Sequence, residues 1–186
     1  MNKHIPVIAI DGLASSGKTS ISKLLSNRLK FFILDSGILY RALAYIKITE
    51  PDSFSTTTSL LETINNIDLK PSYNLDFYAT YKNKDISKKL YKEEIGLAAS
   101  DISKDENIRN LLLPIQRACV QMPGLIANGR DMGTKVFINA QLKIYFTADL
   151  DIRAKRRYEQ LLKSGSSPSF EYIRKSLEDR DQKDIN

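Results

Sequence analysis

The chain of 186 residues is poor in the side chains from which many catalytic centres are built. It contains one cysteine, Cys119, one histidine, His4, and no tryptophan. A single cysteine excludes an internal disulfide, and we expect Cys119, in an apolar helical stretch, to be a small core residue. A single histidine beside the N-terminus argues against His/Cys metal sites and against Ser/His or Cys/His nucleophile pairs.

Long apolar runs are also absent from the sequence. No segment approaches the roughly 20 apolar residues that cross a bilayer, and the first four residues lead directly into a strand-like run rather than a signal peptide. We therefore expect a cytoplasmic protein with no membrane partner. Hydrophobic residues make up 42% of the chain and charged residues 27%, which is typical of one globular domain of this length.

The charge balance is basic, with a formal net charge of +6. Such a surface suits either nucleic acid or the phosphates of small substrates. Eight of the ten arginines follow residue 100, several of them in motif-like segments. Because arginine binds phosphate through two parallel hydrogen bonds, this clustering favours a small phosphorylated substrate over nucleic acid.

The segment GLASSGKT fits the pattern G-x-x-x-x-G-K-[ST] at every fixed position. It follows an apolar run at 5–10 and precedes a helical pattern at Ile21, Leu24, Leu25 and Leu29, which is the context that this phosphate-binding loop requires. Its glycines let backbone N–H groups point at a phosphate chain. Lys18 can then reach the β- and γ-phosphates, and Thr19 can ligate Mg²⁺. The predicted ATP-binding residues are Gly12, Leu13, Ala14, Ser15, Ser16, Gly17, Lys18 and Thr19.

Short apolar runs at 5–10, 31–34, 125–127 and 142–146 are typical of buried parallel strands. They alternate with helical patterns at about 39–46, 92–122 with a break at Pro114, 150–163, and from 170 onward. This alternation predicts a doubly wound α/β fold. Between 75 and 81 apolar and polar residues alternate, with a turn expected at Lys82-Asn83-Lys84, so we predict a small antiparallel insertion there.

Three further segments carry candidate binding residues. Ser36 and Arg41 follow the second strand, at an edge where parallel sheets bind ligands, although a capping turn is the alternative. Arg130 and Asp131 lie between glycines, and two separate targets are more plausible than a mutual ion pair. Three arginines at 153, 156 and 157 share one helix face; either this face is solvated or it closes over a phosphoryl group as a lid.

Taken together, the segments 8–19, 35–41, 123–137 and 180–184 resemble those of the bacterial cytidylate kinases. The resemblance is collinear over the whole chain, and its most specific part is PGLIANGRDMGT at 123–134. It implies a P-loop kinase fold with a monophosphate-binding insertion at about 62–95 and a helical lid at about 150–170. It also implies transfer of phosphate from ATP to CMP and dCMP, with Mg²⁺, by a monomer that binds no nucleic acid.

The resemblance assigns roles to individual residues. It implies that Arg41 and Arg130 hold the phosphate of CMP with Ser36 nearby, and that Arg180 and Asp184 lie near its ribose. Ser100, Arg109 and Asp131 are implied to read cytosine; Asp131 can accept from the N4 amino group and Arg109 can donate to O2 and N3. Arg153, Arg156 and Arg157 are implied to be the lid arginines. With Lys18 and Arg130, Arg153 and Arg157 form the expected catalytic set, and Arg156 is expected to bind ATP.

Two departures from the family pattern and two rival functions remain. Ala14-Ser15-Ser16 replaces a Gly/Ala-rich run. The family also continues past the position of Asn186 with a further arginine, strand and helix, so we expect the gene to encode more residues.

One rival function is that of a P-loop kinase for another monophosphate or a nucleoside. The other is a GTPase-type module, but its Asn-Lys-x-Asp guanine reader is not matched, since Asn83-Lys84 is followed directly by Asp85.

Overall fold

The structure, a computed structural model, describes residues 5–163, 165 and 167–185. In chain order its strands are β1 (Val7–Asp11), β2 (Phe32–Asp35), β3 (Ile67–Pro71), β4 (Phe77–Tyr81), β5 (Lys84–Asp85), β6 (Leu125–Gly129) and β7 (Leu142–Tyr145). Its α-helices are α1 (Lys18–Leu29), α2 (Gly37–Thr49), α3 (Thr57–Asn65), α4 (Glu93–Ile102), α5 (Glu106–Ala118), α6 (Leu150–Lys163) and α7 (Phe170–Ile185). None of the helices in this described part is long and apolar enough for a membrane span.

The main sheet has four parallel strands in the order β2-β6-β1-β7. All five residues of β1 and of β6 are buried, which explains why these strands read as continuous apolar runs. The register places Asp11 opposite Gly129 and Asp35 opposite Asn128. The carboxyl ends of three strands therefore meet at one edge of the sheet, which confirms the predicted α/β fold and locates its binding edge.

The antiparallel insertion is a three-stranded sheet in the order β3-β4-β5. Phe77, Ala79 and Tyr81 are buried, so one face of β4 packs inward as the alternation predicts. The predicted turn is confirmed at Lys82 and Asn83, which have φ of 49° and 62°, while Lys84 already belongs to β5. A bridge from Ile33 to Asp76 joins this insertion to β2.

The predicted helix break at Pro114 is wrong, because α5 runs through this proline. Pro114 and Asn110 are both exposed, so water can bond the Asn110 carbonyl for which proline has no N–H. The interruption lies earlier, between α4 and α5. There the Asp105 side chain caps α5 by accepting from the N–H groups of Asn107 and Ile108, at 2.9 and 3.3 Å.

The segment at about 150–170, predicted as a lid, contains α6, which packs against α7. Their contact buries Ala154, Ile173 and Leu177, and Tyr158 meets Phe170 edge to face with ring centroids 6.0 Å apart. Ala14 of the glycine loop packs against the same cluster. The two helices are therefore attached to the glycine loop by a small apolar contact of their own.

Candidate active site

A cleft of about 610 Å³ opens at the carboxyl edge of the main sheet. Such a volume suits a small-molecule substrate. The glycine loop, the start of α2, the face of α4 and the loop after β6 form its walls. Predicted site residues that line it are Ala14, Ser15, Lys18, Thr19, Ser36, Arg41, Ser100, Arg109, Arg130, Asp131, Arg157 and Arg180.

The glycine loop depends on backbone shapes that favour glycine. Gly12 has φ +147°, and a Cβ there would lie 2.0 Å from the carbonyl oxygen of Phe146. Gly17 has φ +111° and forms the N-cap of α1. Among the described residues no side chain caps this helix start and its first turn holds no acidic residue, so the positive end of α1 favours an anion there.

Three positively charged side chains of the site donate hydrogen bonds to carbonyl oxygens of this loop. The Lys18 ammonium donates to the Gly12 and Leu13 carbonyls at 2.6 and 2.8 Å, and Arg130 also donates to Gly12. From α6, Arg156 donates through Nη1 to the Ser16 carbonyl at 2.7 Å. Lys18 and Arg156, which are predicted to bind ATP, thus converge on one loop with Arg130, which is predicted to hold the phosphate of CMP. Arg156 does not itself line the cleft.

The loop after β6 is anchored by Asp11, a residue that our sequence reasoning did not single out. Its two carboxylate oxygens accept from the backbone N–H groups of Met132 and Gly133, at 2.7 and 2.8 Å. These residues begin a single turn of π-helix, Met132–Val136. The anchor holds Arg130 and Asp131 at the cleft, and the acid at the end of β1 was its only sequence signal.

Arg109 and Asp131 form an ion pair inside the cleft, with 2.6 Å from Nη2 to Oδ2. Burial, the largest single effect, lowers the pKa of Arg109, but the hydrogen bond that it donates to Asp131, together with the charge of Asp131 and smaller charge effects of Tyr40 and Glu106, raises that pKa overall. Tyr40 lies beside the pair, and burial, then the charge of Asp131, raises the pKa of its hydroxyl to about 12. Asp131 thus pairs with α5 rather than with its neighbour Arg130, as expected of two residues with separate targets.

Arg41 extends from α2 across the cleft to the α4 side. Its Nη1 donates to the Leu90 carbonyl at 3.0 Å, and its guanidinium carbon lies 5.7 Å from the centre of the Tyr91 ring. A Cβ on Gly96 would lie 3.2 Å from that Nη1, so the glycine leaves room for the guanidinium. The insertion therefore sets the direction of this predicted phosphate ligand.

Some of the remaining predicted residues line the cleft and others do not. Arg180 on α7 and Arg157 on α6 reach the cleft, whereas Arg153 does not line it. Arg153 is 2% exposed and pairs with Asp181 on α7, because it lies on the inner side of α6. The Asp184 side chain lies outside the described residues. Tyr40 and Asn128 lie within the segments 35–41 and 123–137 but have no predicted role, and both line the cleft.

A magnesium ion is compatible with this cleft when phosphates share its coordination. Among the described residues there is no cluster of three or more His, Cys, Asp or Glu side chains that holds a metal by itself. Thr19 lines the cleft beside Lys18, where its hydroxyl can contribute one ligand. Mg²⁺ in kinases is held by one or two protein groups together with substrate phosphates, so the residues present fit such an ion.

The parallel sheet, the glycine loop and the convergent arginines define a P-loop phosphotransferase. The chain belongs to the cytidylate kinase family, whose model matches residues 8–186. It is 36% identical over 187 residues to "Cytidylate kinase" of Aliivibrio salmonicida, covering 100% of this chain and 84% of that protein. It is 40% identical over 179 residues to "Cytidylate kinase" of Ralstonia nicotianae, covering 96% and 76%.

One solved structure, TT1252 from Thermus thermophilus, aligns with 97% of this chain and 80% of its own. The TM-score is 0.46 at 17% sequence identity, so this likeness carries no weight for the site. Family membership therefore rests on the sequence relatives and on the family model.

Proposed function

We propose that the protein is a cytidylate kinase that transfers the γ-phosphoryl group of ATP to CMP and to dCMP. The observation that carries this proposal is one cleft that joins the glycine loop to a half-buried Arg109–Asp131 pair. The loop suits a triphosphate, and the pair offers the donors and acceptors that a cytosine edge needs.

The two phosphate groups would meet in the middle of the cleft. Ser36, Arg41 and Arg130 would hold the phosphate of CMP. Lys18 and the N–H groups of the loop would hold the β- and γ-phosphates of ATP, with Arg156 and Arg157 arriving from α6. Mg²⁺, bound through Thr19 and the phosphates, would neutralise charge on the transferred group. A CMP phosphate is already anionic near neutral pH, so the chain needs no general base.

Base selection follows from hydrogen-bond polarity. Cytosine presents an N4 amino donor to Asp131 and acceptors to Arg109, with Ser100 on the adjacent wall. Uracil presents O4 to Asp131 instead, so two acceptors face each other at a cost of roughly 1–3 kcal/mol. Arg180, and by family resemblance Asp184, would lie near the ribose. We propose that the protein acts as a monomer in the cytoplasm, in pyrimidine nucleotide metabolism.

A coupled assay with ATP and the monophosphates CMP, dCMP, UMP, AMP and GMP tests this proposal. We expect the highest kcat/KM with CMP or dCMP. A clear preference for another monophosphate would identify a different P-loop kinase. GTP hydrolysis without any phosphorylated acceptor would identify a GTPase-type module.

Lys18→Ala should lower kcat by at least about 100-fold, since it removes a charge aimed at the transferring phosphate. Lys23→Ala is a matched control, because Lys23 lies exposed on the same helix and does not line the cleft. Circular dichroism of both variants checks that the fold is kept. Near-normal turnover by a folded Lys18→Ala variant contradicts the assignment.

A further inference from the structure

Arg153 is a buried cation whose hydrogen bonds join three separate parts of the chain. Nε donates to the Ala148 carbonyl at 2.9 Å, just before α6 begins. Nη1 donates to the Ala14 carbonyl of the glycine loop at 3.4 Å and to Asp181 Oδ1 at 3.0 Å, and Nη2 donates to Asp181 Oδ2. Four of the five N–H donors of this guanidinium therefore have protein partners.

Asp181 occupies a defined position on α7. It follows Ile173 and Leu177 at intervals of four residues, so it continues the face that packs against α6. Its side chain is 13% exposed and that of Arg153 is 3% exposed. The preceding residue, Arg180, lines the cleft. The ion pair thus connects the glycine loop to the helix turn that carries a cleft arginine.

We propose that Arg153 and Asp181 are a positioning pair, which fixes the glycine loop and α7 relative to each other, and that Arg153 is not a ligand of the transferred phosphate. The proposal rests on the proposed function, because it concerns the same nucleotide-binding loop. Of the three arginines of α6, Arg156 and Arg157 are then the pair available to phosphate. Arg156 already lies on the Ser16 carbonyl, and Arg157 lines the cleft.

The competing explanation is that Asp181 holds Arg153 only until a nucleotide binds, and that Arg153 then moves to the phosphates. The two explanations predict different effects of Asp181→Asn on nucleotide affinity. If Arg153 is a stored ligand, Asp181→Asn releases a cation and removes a negative charge, so nucleotide binding is unchanged or becomes tighter. If the pair positions the loop, the same variant binds nucleotide more weakly despite the gain of positive charge.

The test is calorimetric titration with AMP-PNP and Mg²⁺, which needs no phosphoryl transfer. We expect Asp181→Asn and Arg153→Lys each to weaken AMP-PNP binding about tenfold, the scale of coupling through an intermediate contact. The double variant should be no weaker than the worse single variant, because both changes break one interaction. In the kinase assay the KM for ATP should rise in all three variants, and kcat should change less than KM.

The matched control is the ion pair of Arg174 and Asp151, which joins the same two helices at the surface. Its Nε–Oδ1 distance is 2.7 Å, and the side chains are 43% and 73% exposed. Asp151→Asn should leave AMP-PNP affinity and kinase activity unchanged. If Asp181→Asn does not fold, Asp181→Glu keeps the charge, displaces the guanidinium, and is expected to weaken binding in the same direction.

Three results would overturn the proposal: tighter or unchanged AMP-PNP binding in folded Asp181 variants, additive losses in the double variant, or a fall in kcat at constant KM in Arg153→Lys. Failure of the proposed function has a different signature. In that case the wild-type protein would bind AMP-PNP but would not phosphorylate CMP, and the binding comparison would still decide the role of the pair.

Discussion

At the scale of single residues, the charged groups of the cleft are held by partners that a substrate can replace. Asp131 and Arg109 form an ion pair with 2.6 Å between Oδ2 and Nη2, while the Lys18 ammonium donates to two carbonyls of the glycine loop. A buried charge without a partner is costly, so such pairing lowers the cost of holding these charged groups in the cleft. A substrate group with the same charge or hydrogen-bonding character as an internal partner would then replace that partner.

Asp131→Asn should erode base selection more than it lowers overall turnover. An amide offers both an acceptor and a donor, so it meets either N4 of cytosine or O4 of uracil. The ratio of kcat/KM for CMP to that for UMP should fall about tenfold, which corresponds to about 1.4 kcal/mol. Asp52→Asn, on the exposed surface of a remote turn, should leave the ratio unchanged. An unchanged ratio in Asp131→Asn would show that this carboxylate does not read the base.

Cys119 should be chemically inert in the folded protein. Burial, followed by the charge of Asp68, raises the pKa of its thiol from 9.0 to about 12. Because the raised pKa belongs to the folded state, its stabilising contribution is complete below pH 9 and is lost as the pH rises from 9 towards 12. Iodoacetamide labelling near neutral pH should be at least about 100-fold slower than in denaturing urea. Equal rates in the native and denatured protein contradict this.

At the scale of elements, the sequence pattern predicts helices and strands well where one periodicity dominates. The predicted helix at 150–163 coincides with α6, and the four parallel strands lie within two residues of their predicted bounds. Pro114 misled the prediction, because a proline on the exposed side of a helix costs one backbone bond that water can replace. Such exposure depends on packing, which the local pattern does not contain.

The parts of the site that could not be predicted depend on contacts between distant residues. The glycine loop could be predicted because the residues that bind phosphate are consecutive in the sequence. The anchoring role of Asp11 joins positions more than a hundred residues apart, and it appears only once β1 and β6 are paired. Arg153 was grouped with Arg156 and Arg157 by spacing, yet α7 turns it into a buried partner of Asp181.

Asp11→Asn should loosen the turn that presents Arg130 and Asp131. The variant replaces one carboxylate oxygen by an amide NH2 group, a donor that faces a backbone N–H, so one buried donor loses its acceptor. We expect a loss of about 1–3 kcal/mol in the free energy of unfolding and a higher KM for CMP. Asp35→Asn serves as a stability control, since Asp35 is exposed and accepts one N–H, from Gly37. Equal stability losses in both variants would contradict the anchoring role.

At the scale of the whole molecule, the chain has apolar clusters of very different size. The large cluster lies between the main sheet, α2, α4, α5 and the insertion, and includes fully buried Leu34, Leu112 and Leu125. The cluster that holds α6 and α7 has three buried residues, Ala154, Ile173 and Leu177. Hydrophobic stabilisation grows with buried apolar area, so the two helices are held far more weakly than the sheet.

Hydrogen exchange followed by mass spectrometry should therefore separate the molecule into two parts. Amides of α6 and α7 should exchange through local opening, well before those of β1 and β6, which open only with the whole domain. AMP-PNP with Mg²⁺ should slow exchange in the glycine loop and in α6, because phosphates would bind both. The amides of α3, remote from the cleft, provide the control and should not respond. Equal exchange in α6 and β1, or nucleotide protection confined to the glycine loop, would contradict a separately opening lid and leave α6 as a fixed wall of the cleft.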